Sequence, residues 1–423
     1  MTRDGRESGW YKWAVVAMLW LVCFFNYADR QGIFSVFPLL EQKDGGLGLS
    51  KQQLALIGSA FMWVYAGSGW LAGIVGDLLR RKTVILGGFL FWSVITLTFG
   101  FATEYWHLVA LRAVEGLGEA FYFPAAMAMI SAWHGKETRS KAMGIHQSSV
   151  YVGTIAGGAV AGVMGEHLGW RSSFFLFGGL GILVAVVLLV FLKEPSGGQL
   201  AAANTDDSGR KPATAFNFPM VTVLALVFIG ANSVASIFLA WTPTFLHDKF
   251  TMSVSRASIY ASAYLQTFSI LGVLFGGWLA DRLVRRFLGG RPMTQAIGLC
   301  CGMPFIFLVG WSVQIKVTLF ALALFGFFKG VYDSNIWASV HDVVPAERRA
   351  TAVGVMNSIS WFGGGLAAFL IGYGTKWFSM SLMISTVSVI YLIFAFVMIW
   401  GVGRFMSGRS GSNPSVQNEI RER

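Results

Sequence analysis

The chain has 423 residues, 55% of them hydrophobic and only 13% charged, about half the charged share of a soluble domain. That excludes an ordinary water-soluble enzyme or binding module and leaves a protein that lies largely within a bilayer. The net charge of +11 does not point to nucleic acid, because the basic residues sit in short segments between long apolar runs rather than along one amphipathic face.

Apolar runs long enough to cross a bilayer, about 20 residues each, predict twelve helical spans. They lie at 13–39, 53–76, 83–103, 107–132, 140–164, 172–192, 220–246, 257–282, 294–313, 317–343, 349–374 and 380–403. The opening segment MTRDGRESGWYKW has no small-residue cleavage site and predicts a cytoplasmic tail with a retained first helix. One set of connections is strongly basic: Arg3 and Arg6; Arg80, Arg81 and Lys82; Lys136, Arg139 and Lys141; Lys193, Arg210 and Lys211; Arg282, Arg285 and Arg286; Arg348 and Arg349; Arg404 and Arg409. The opposite side has mostly single basic residues, Lys43, Lys51, Arg171, Lys249, Arg256, Lys316 and Lys376. The richer side is expected to be cytoplasmic, with both termini on it and the protein in the cell (inner) membrane. The stretch 195–218, rich in Gly, Ala, Ser and Asp, reads as a flexible linker. The expected organisation is a six-helix bundle over 1–194, a cytoplasmic linker over 195–218, a second six-helix bundle over 219–405 and a cytoplasmic tail over 406–423.

Two motifs repeat. Gly73 to Asp77, followed by Arg80, Arg81 and Lys82, is echoed 204 residues later by Gly277 to Asp281, followed by Arg282, Arg285 and Arg286. Glu137, Arg139, Ala142 and Gly144 are echoed 210 residues later by Glu347, Arg349, Ala352 and Gly354. Nearly equal offsets at matching positions predict an all-α membrane protein of two pseudo-symmetric six-helix halves.

Ionisable residues inside spans carry the chemistry, since each costs at least roughly 2.5–3.5 kcal/mol at a helix centre. Asp29 and Arg30 lie in the first span; Arg112, Glu115 and Glu119 lie in the fourth. Positions 112, 115 and 119 share one helix face, which should turn inward near Asp29 and Arg30. Burial favours a neutral carboxyl and a nearby arginine favours a carboxylate, so such a cluster suits proton exchange. Asp29 and Glu119 are the expected proton carriers, with Arg30 and Arg112 as partners that switch to a substrate anion. Glu115 joins them on spacing alone. The plain alternative is a permanent structural ion-pair knot.

Lys329 and Asp333, one turn apart in the tenth span, are either an anchor for an anionic substrate or a self-neutralised pair. Tyr27, Tyr65, Gln147 and Asn357 are candidate substrate contacts, with interhelical hydrogen bonding as the alternative. His146, beside Gln147, is a titratable candidate or a satisfied polar residue. Asp77 with Arg81, and Asp281 with Arg285, are expected to act as gate latches. Cys23, Cys300 and Cys301 have no metal-ligand spacing and imply no disulfide. No ATP-cradling loop or hydrolase signature occurs, so the expectation is no enzyme, no metal and no cofactor, with energy drawn from a gradient.

The glycine–aspartate loop motif and its echo resemble the signature of the major facilitator superfamily, with Arg80 where that signature usually has a glycine. Within it the chain resembles the anion:cation symporters. The residues that carry this are Asn26-Tyr27-Ala28-Asp29-Arg30, Trp63-Val64-Tyr65, Arg112 with Glu119, Trp241-Thr242-Pro243-Thr244, and Asn357. Gly69 and Leu71 stand where those carriers often have Gln and Pro. The resemblance implies proton-coupled symport of a small organic anion, such as a hexonate or hexuronate, by alternating access. It supports Asp29, Arg30, Arg112 and Glu119 as coupling residues and Tyr27 and Tyr65 as site aromatics. The expected partners are that anion, protons and the lipid bilayer, with no nucleic acid and a monomeric chain. Spinster-like carriers share the first-span segment and the fourth-span Arg and Glu, so a lysolipid or amphipath exporter stays open. So do a non-transport membrane receptor and coupling to sodium.

Overall fold

The apolar runs are helical, and no strand occurs among the described residues. The structure, a computed structural model, describes residues 3–195, 216–345 and 348–406, without the side chains of 3–8, 70–78, 136 and 350. Most of the expected linker, the tail beyond Met406, and Arg210, Lys211, Glu347 and Arg409 lie outside the described residues. So do the side chains of Arg3, Arg6, Asp77 and Lys136.

Among the described residues fifteen helices follow one another: α1 (Arg3–Ser35), α2 (Phe37–Glu41), α3 (Lys51–Leu78), α4 (Arg81–Phe99), α5 (Tyr105–Ala120), α6 (Tyr122–Trp133), α7 (Lys136–Leu168) and α8 (Arg171–Phe191). After them come α9 (Phe218–Phe250), α10 (Val254–Val284), α11 (Gly290–Trp311), α12 (Ile315–Asp333), α13 (Ile336–Val343), α14 (Arg349–Gly374) and α15 (Met380–Phe405). They form twelve spans, because α1–α2, α5–α6 and α12–α13 are each one span with a break.

Two of the three breaks have a local cause in proline. Pro38 sits at the start of α2 and has no N–H to give the carbonyl of Phe34. Pro124 likewise leaves the carbonyl of Ala120 without its helical donor, and a proline is tolerated in the first turn of α6. The third break has no proline. There Asn335 leaves the helical conformation (φ −124°, ψ 9°). Its side-chain amide donates to the carbonyl of Gly276 (3.3 Å) and to Ser334 Oγ (2.7 Å), the competition with backbone bonding expected of short polar side chains. The first, fourth and tenth spans, expected to be continuous, are therefore each two helices.

Among the described residues ten helices are long and apolar enough to cross a membrane. α5 is not one of them, being only 16 residues long and holding Arg112, Glu115 and Glu119. The outer faces are apolar: Leu183, Val186, Val187, Val190 and Phe191 of α8 are all exposed. Charged and hydroxyl side chains are instead buried, the inversion expected of a chain whose solvent is lipid. The protein is a multi-pass membrane protein.

Contacts cluster into two units. One comprises Met1–Lys211 and Leu239–Ser262, the other Pro212–Phe238 and Ala263–Arg423. The end of α9 and the start of α10 thus belong with the first unit. There Gln31 Nε2 donates to the Leu239 carbonyl (3.0 Å), Ser258 Oγ donates to the Ser35 carbonyl (3.3 Å), and the Ser255 N–H donates to Glu166 (2.7 Å). Lys51 pairs with Asp248.

Close backbone approach sets the helix faces. In the first unit a Cβ at Gly116 would stand 2.5 Å from the Phe61 carbonyl oxygen, so α5 lies directly on α3. Gly157 of α7 lies just as closely on the Ala28 carbonyl of α1. With Ala28 turned to α7, Asp29 and Arg30 point toward α4 and α5. In the second unit Gly326 of α12 lies on the Leu265 carbonyl of α10, the same contact shifted by 210 and 204 residues.

Candidate functional site

On α1, Asn26 and Arg30 stand one turn apart, and Arg30 Nη2 donates to Asn26 Oδ1 (3.1 Å). The guanidinium continues to α5, where Nη2 and Nε both donate to Glu119 Oε2, at 2.5 and 3.1 Å. Two turns of α5 align Arg112, Glu115 and Glu119, but the side chains divide. Glu119 reaches Arg30, while Glu115 takes Arg112 Nη1 at 2.6 Å. The Phe61 ring of α3 lies under both cations, 4.8 Å from the Arg30 guanidinium carbon and 4.3 Å from that of Arg112. Tyr27 and Tyr65 add faces to Arg30 at 4.7 and 5.0 Å. Aromatic faces stabilise a desolvated cation by about 2 kcal/mol, which helps hold two guanidiniums out of water.

α4 closes the cluster through Thr96. Its Oγ1 lies 3.2 Å from Asp29 Oδ2, 3.4 Å from Glu115 Oε1 and 3.0 Å from the Trp92 carbonyl oxygen. Asp29 has no cation within ion-pair distance among the described residues, and its Oδ1 is buried without a hydrogen-bond partner. Arg112 Nε and Nη2 are buried donors without an acceptor, and Glu119 Oε1 is likewise unpartnered. All five ionisable residues are at most 7% exposed. Two guanidiniums face three carboxylates, each glutamate holds one arginine, and Asp29 is the odd charge. Chemically the cluster offers one carboxyl without a counter-ion and one arginine with two donors to fill.

The remaining candidates are spread more widely. Tyr27 is half-buried and Tyr65 buried, both against Arg30. Gln147 is exposed on α7, whereas its neighbour His146 is fully buried and meets Tyr122 Oη through Nε2 at 2.8 Å. In the second unit Lys329 Nζ pairs with Asp333 at 2.5 Å, the lysine buried and the aspartate half-buried. Asn357 is half-buried on α14. Asp281 and Arg285 are exposed, and the described residues contain no ion pair between them. Arg81 opens α4, where Glu194 accepts from its N–H (3.1 Å) and from that of Lys82 (2.8 Å), a carboxylate at a helix N-terminus. Among the described residues no group of three or more metal-ligating side chains is close enough to hold an ion.

Sequence reasoning missed Thr96, Phe61 and Asn26 as parts of this cluster. Asn26 had a signal, a polar residue four before Arg30 inside an apolar run. Phe61 and Thr96 had almost none, because an aromatic and a hydroxyl within a span read as ordinary packing.

The sequence matches the family described as Major Facilitator Superfamily over residues 19–369 and 250–419. It is 26% identical to a D-galactonate transporter of Escherichia coli, over 95% of this chain and 97% of that protein. It is 29% identical to a probable galactarate/D-glucarate transporter of Escherichia coli, over 85% of this chain and 86% of that protein. The fold superposes on the crystal structure of a bacterial homologue of the human lysosomal transporter spinster, in an inward-facing and occupied conformation. That match has a TM-score of 0.78 at 22% identity and covers 93% of this chain and 97% of the other. With twelve helical spans in that architecture and a family match along nearly its whole length, the chain belongs to the Major Facilitator Superfamily and is a transporter rather than an enzyme.

Proposed function

We propose that the protein carries a small organic anion of the sugar-acid class, a hexonate or hexuronate, together with a proton, by alternating access across the cell (inner) membrane. The observation that carries this reading is the buried cluster of Asp29, Arg30, Arg112, Glu115 and Glu119, in which Asp29 lacks a cation and Arg112 keeps two unfilled donors. A permanent structural knot would be expected to satisfy its members, since each orphaned buried donor costs about 1–3 kcal/mol. The relatives named for D-galactonate and for galactarate and D-glucarate support the substrate class.

In this mechanism Asp29 and Glu119 carry the proton, and Arg112 gives its unfilled N–H groups to the substrate carboxylate, whose two oxygens match a guanidinium fork. Arg30 changes partner in the same cycle. Tyr27, Tyr65 and Gln147 contact substrate hydroxyls. In the second unit Lys329, Asp333 and Asn357 are further substrate contacts, the lysine supplying positive charge. Asp77, Arg81, Asp281 and Arg285 act as latches at the cytoplasmic loops. The basic bias of those loops supports cytoplasmic termini, and no step requires more than one chain.

The test is uptake of radiolabelled D-galactonate and D-glucarate into proteoliposomes under an imposed pH gradient. Accumulation that collapses with a protonophore is expected. Accumulation driven by a sodium gradient alone, or none of either compound alongside lysolipid efflux, would contradict the reading.

A further inference from the structure

Thr96 sits in the last turn of α4, 1% exposed, with three oxygens around its hydroxyl: Asp29 Oδ2, Glu115 Oε1 and the Trp92 carbonyl, at 3.2, 3.4 and 3.0 Å. A hydroxyl has one proton to donate. A carbonyl and two ionised carboxylates are acceptors only, so two of these three contacts would set lone pair against lone pair in a dry interior. One added proton removes one of these two clashes and leaves the hydroxyl proton to serve the other two oxygens in turn. Glu115 holds Arg112 and Asp29 holds no cation, so the added proton belongs on Asp29, which then donates to Thr96 Oγ1. The hydroxyl's own proton is free to turn between the Trp92 carbonyl and Glu115.

We infer that the Thr96 hydroxyl relays a proton from Asp29 to Glu115, and that this transfer is what frees Arg112 for the substrate; the inference rests on the proton-coupled reading above. In the step the Asp29 Oδ2–H bond breaks and that proton bonds to Thr96 Oγ1. At the same time the original Thr96 O–H bond breaks and its proton bonds to Glu115 Oε1. Asp29 ends ionised, Glu115 neutral and Thr96 unchanged. A neutral Glu115 no longer holds Arg112 as an ion pair, so the guanidinium turns to a substrate carboxylate, and release of the substrate runs the step backward.

Among the described residues no other charge intrudes on this path. α1 brings Asp29 and Arg30, and α5 brings Arg112, Glu115 and Glu119. α6 brings Tyr122, whose ring meets that of Trp92, and α3 brings Tyr65 to Arg30. α8, packed along α4, has Arg171 as its single ionisable residue, bound to the Ala102 carbonyl just beyond the end of α4. On α4 itself the ionisable residues are Arg81 and Lys82, at its start.

The test compares Thr96→Val, which keeps the branched shape and loses the hydroxyl, with Thr96→Ser, which keeps the hydroxyl. Radiolabelled D-galactonate is used in proteoliposomes, under a pH gradient and in counterflow across a pH series. Thr96→Val is expected to lower gradient-driven accumulation roughly a hundredfold, the lower end of what a positioned proton-transfer group supplies, with Thr96→Ser within about threefold of wild type. The counterflow that remains in Thr96→Val loses its pH dependence, and Thr96→Ser retains it. Wild-type accumulation and pH profile in Thr96→Val overturn the relay. So does equal failure of Thr96→Ser, or a Thr96→Val protein inactive in counterflow at every pH. A wild-type protein that gathers no D-galactonate under the gradient overturns the proton-coupled reading and the relay with it. When wild type does gather it, failure of the relay leaves that reading standing.

Discussion

The α3–α5 pair of the first unit and the α10–α12 pair of the second share one backbone contact and differ in chemistry. Gly116 lies on the Phe61 carbonyl, and Gly326 lies on the Leu265 carbonyl. At the same offset of 210 residues, Arg112 and Glu115 correspond to Leu322 and Phe325, and Glu119 corresponds to Lys329. The first pair is surrounded by a five-residue charge cluster joined by Thr96; the second has, among the described residues, the Lys329–Asp333 pair. Helix packing and the buried charge cluster are therefore separable features of this architecture. A glycine that lets two backbones touch is retained in both units, while the ionisable residues are concentrated in one.

That contrast breaks if the charges of the first unit prove dispensable. Asp29→Asn is expected to lower pH-gradient-driven accumulation by about a hundredfold or more, read from substrate retained in proteoliposomes. Glu119→Gln should match it in transport and also lose stability. It leaves the buried Arg30 without its anion, and breaking a buried pair from one side costs about 3–5 kcal/mol. A thermal melt in detergent gives the difference. Full accumulation by both variants would make the two units chemically alike.

The glycine contacts sharpen the contrast. Gly116→Ala and Gly326→Ala each force α5 or α12 away from its neighbour and should destabilise by about 1–3 kcal/mol, seen as comparable falls in Tm. Only Gly116→Ala should also shift the pH dependence of uptake, because only α5 carries Glu115 and Glu119. A shift of equal size in Gly326→Ala would place coupling in both units.

How far the site was legible follows from the same division. The twelve spans were readable because about 20 apolar residues in a row admit few other structures. The charge cluster was readable because ionisable residues in such runs are costly enough to need a reason. The break at Phe121 has a visible cause in Pro124, but the break at Asn335 comes from a side-chain amide that finds Gly276 across the helix interface, which no local pattern reports. Thr96 and Phe61 act through where α4 and α3 place them against α1 and α5. A threonine in an apolar run looks the same whether it bonds its own backbone or bridges two carboxylates, and Thr96 does both.

Smaller effects are expected in the second unit. Lys329→Ala should raise KM for a sugar acid about tenfold, equivalent to about 1.4 kcal/mol, with the pH profile unchanged. An unaltered KM would make Lys329–Asp333 a structural pair. Asn357→Ala, and Gln147→Ala in the first unit, should each raise KM by about two- to fivefold, the loss of one hydrogen bond worth about 1 kcal/mol.

A buried carboxyl with no cation beside it should take up a proton each time the anion crosses. Proton entry recorded by a pH-sensitive dye trapped in proteoliposomes, started by adding D-galactonate outside with no gradient imposed, reads that event itself. The wild type should acidify the lumen in step with labelled substrate, and Asp29→Asn should move substrate with no acidification. Substrate entry without acidification in the wild type, or equal acidification in Asp29→Asn, would show that the carboxyl at position 29 does not carry the coupled proton.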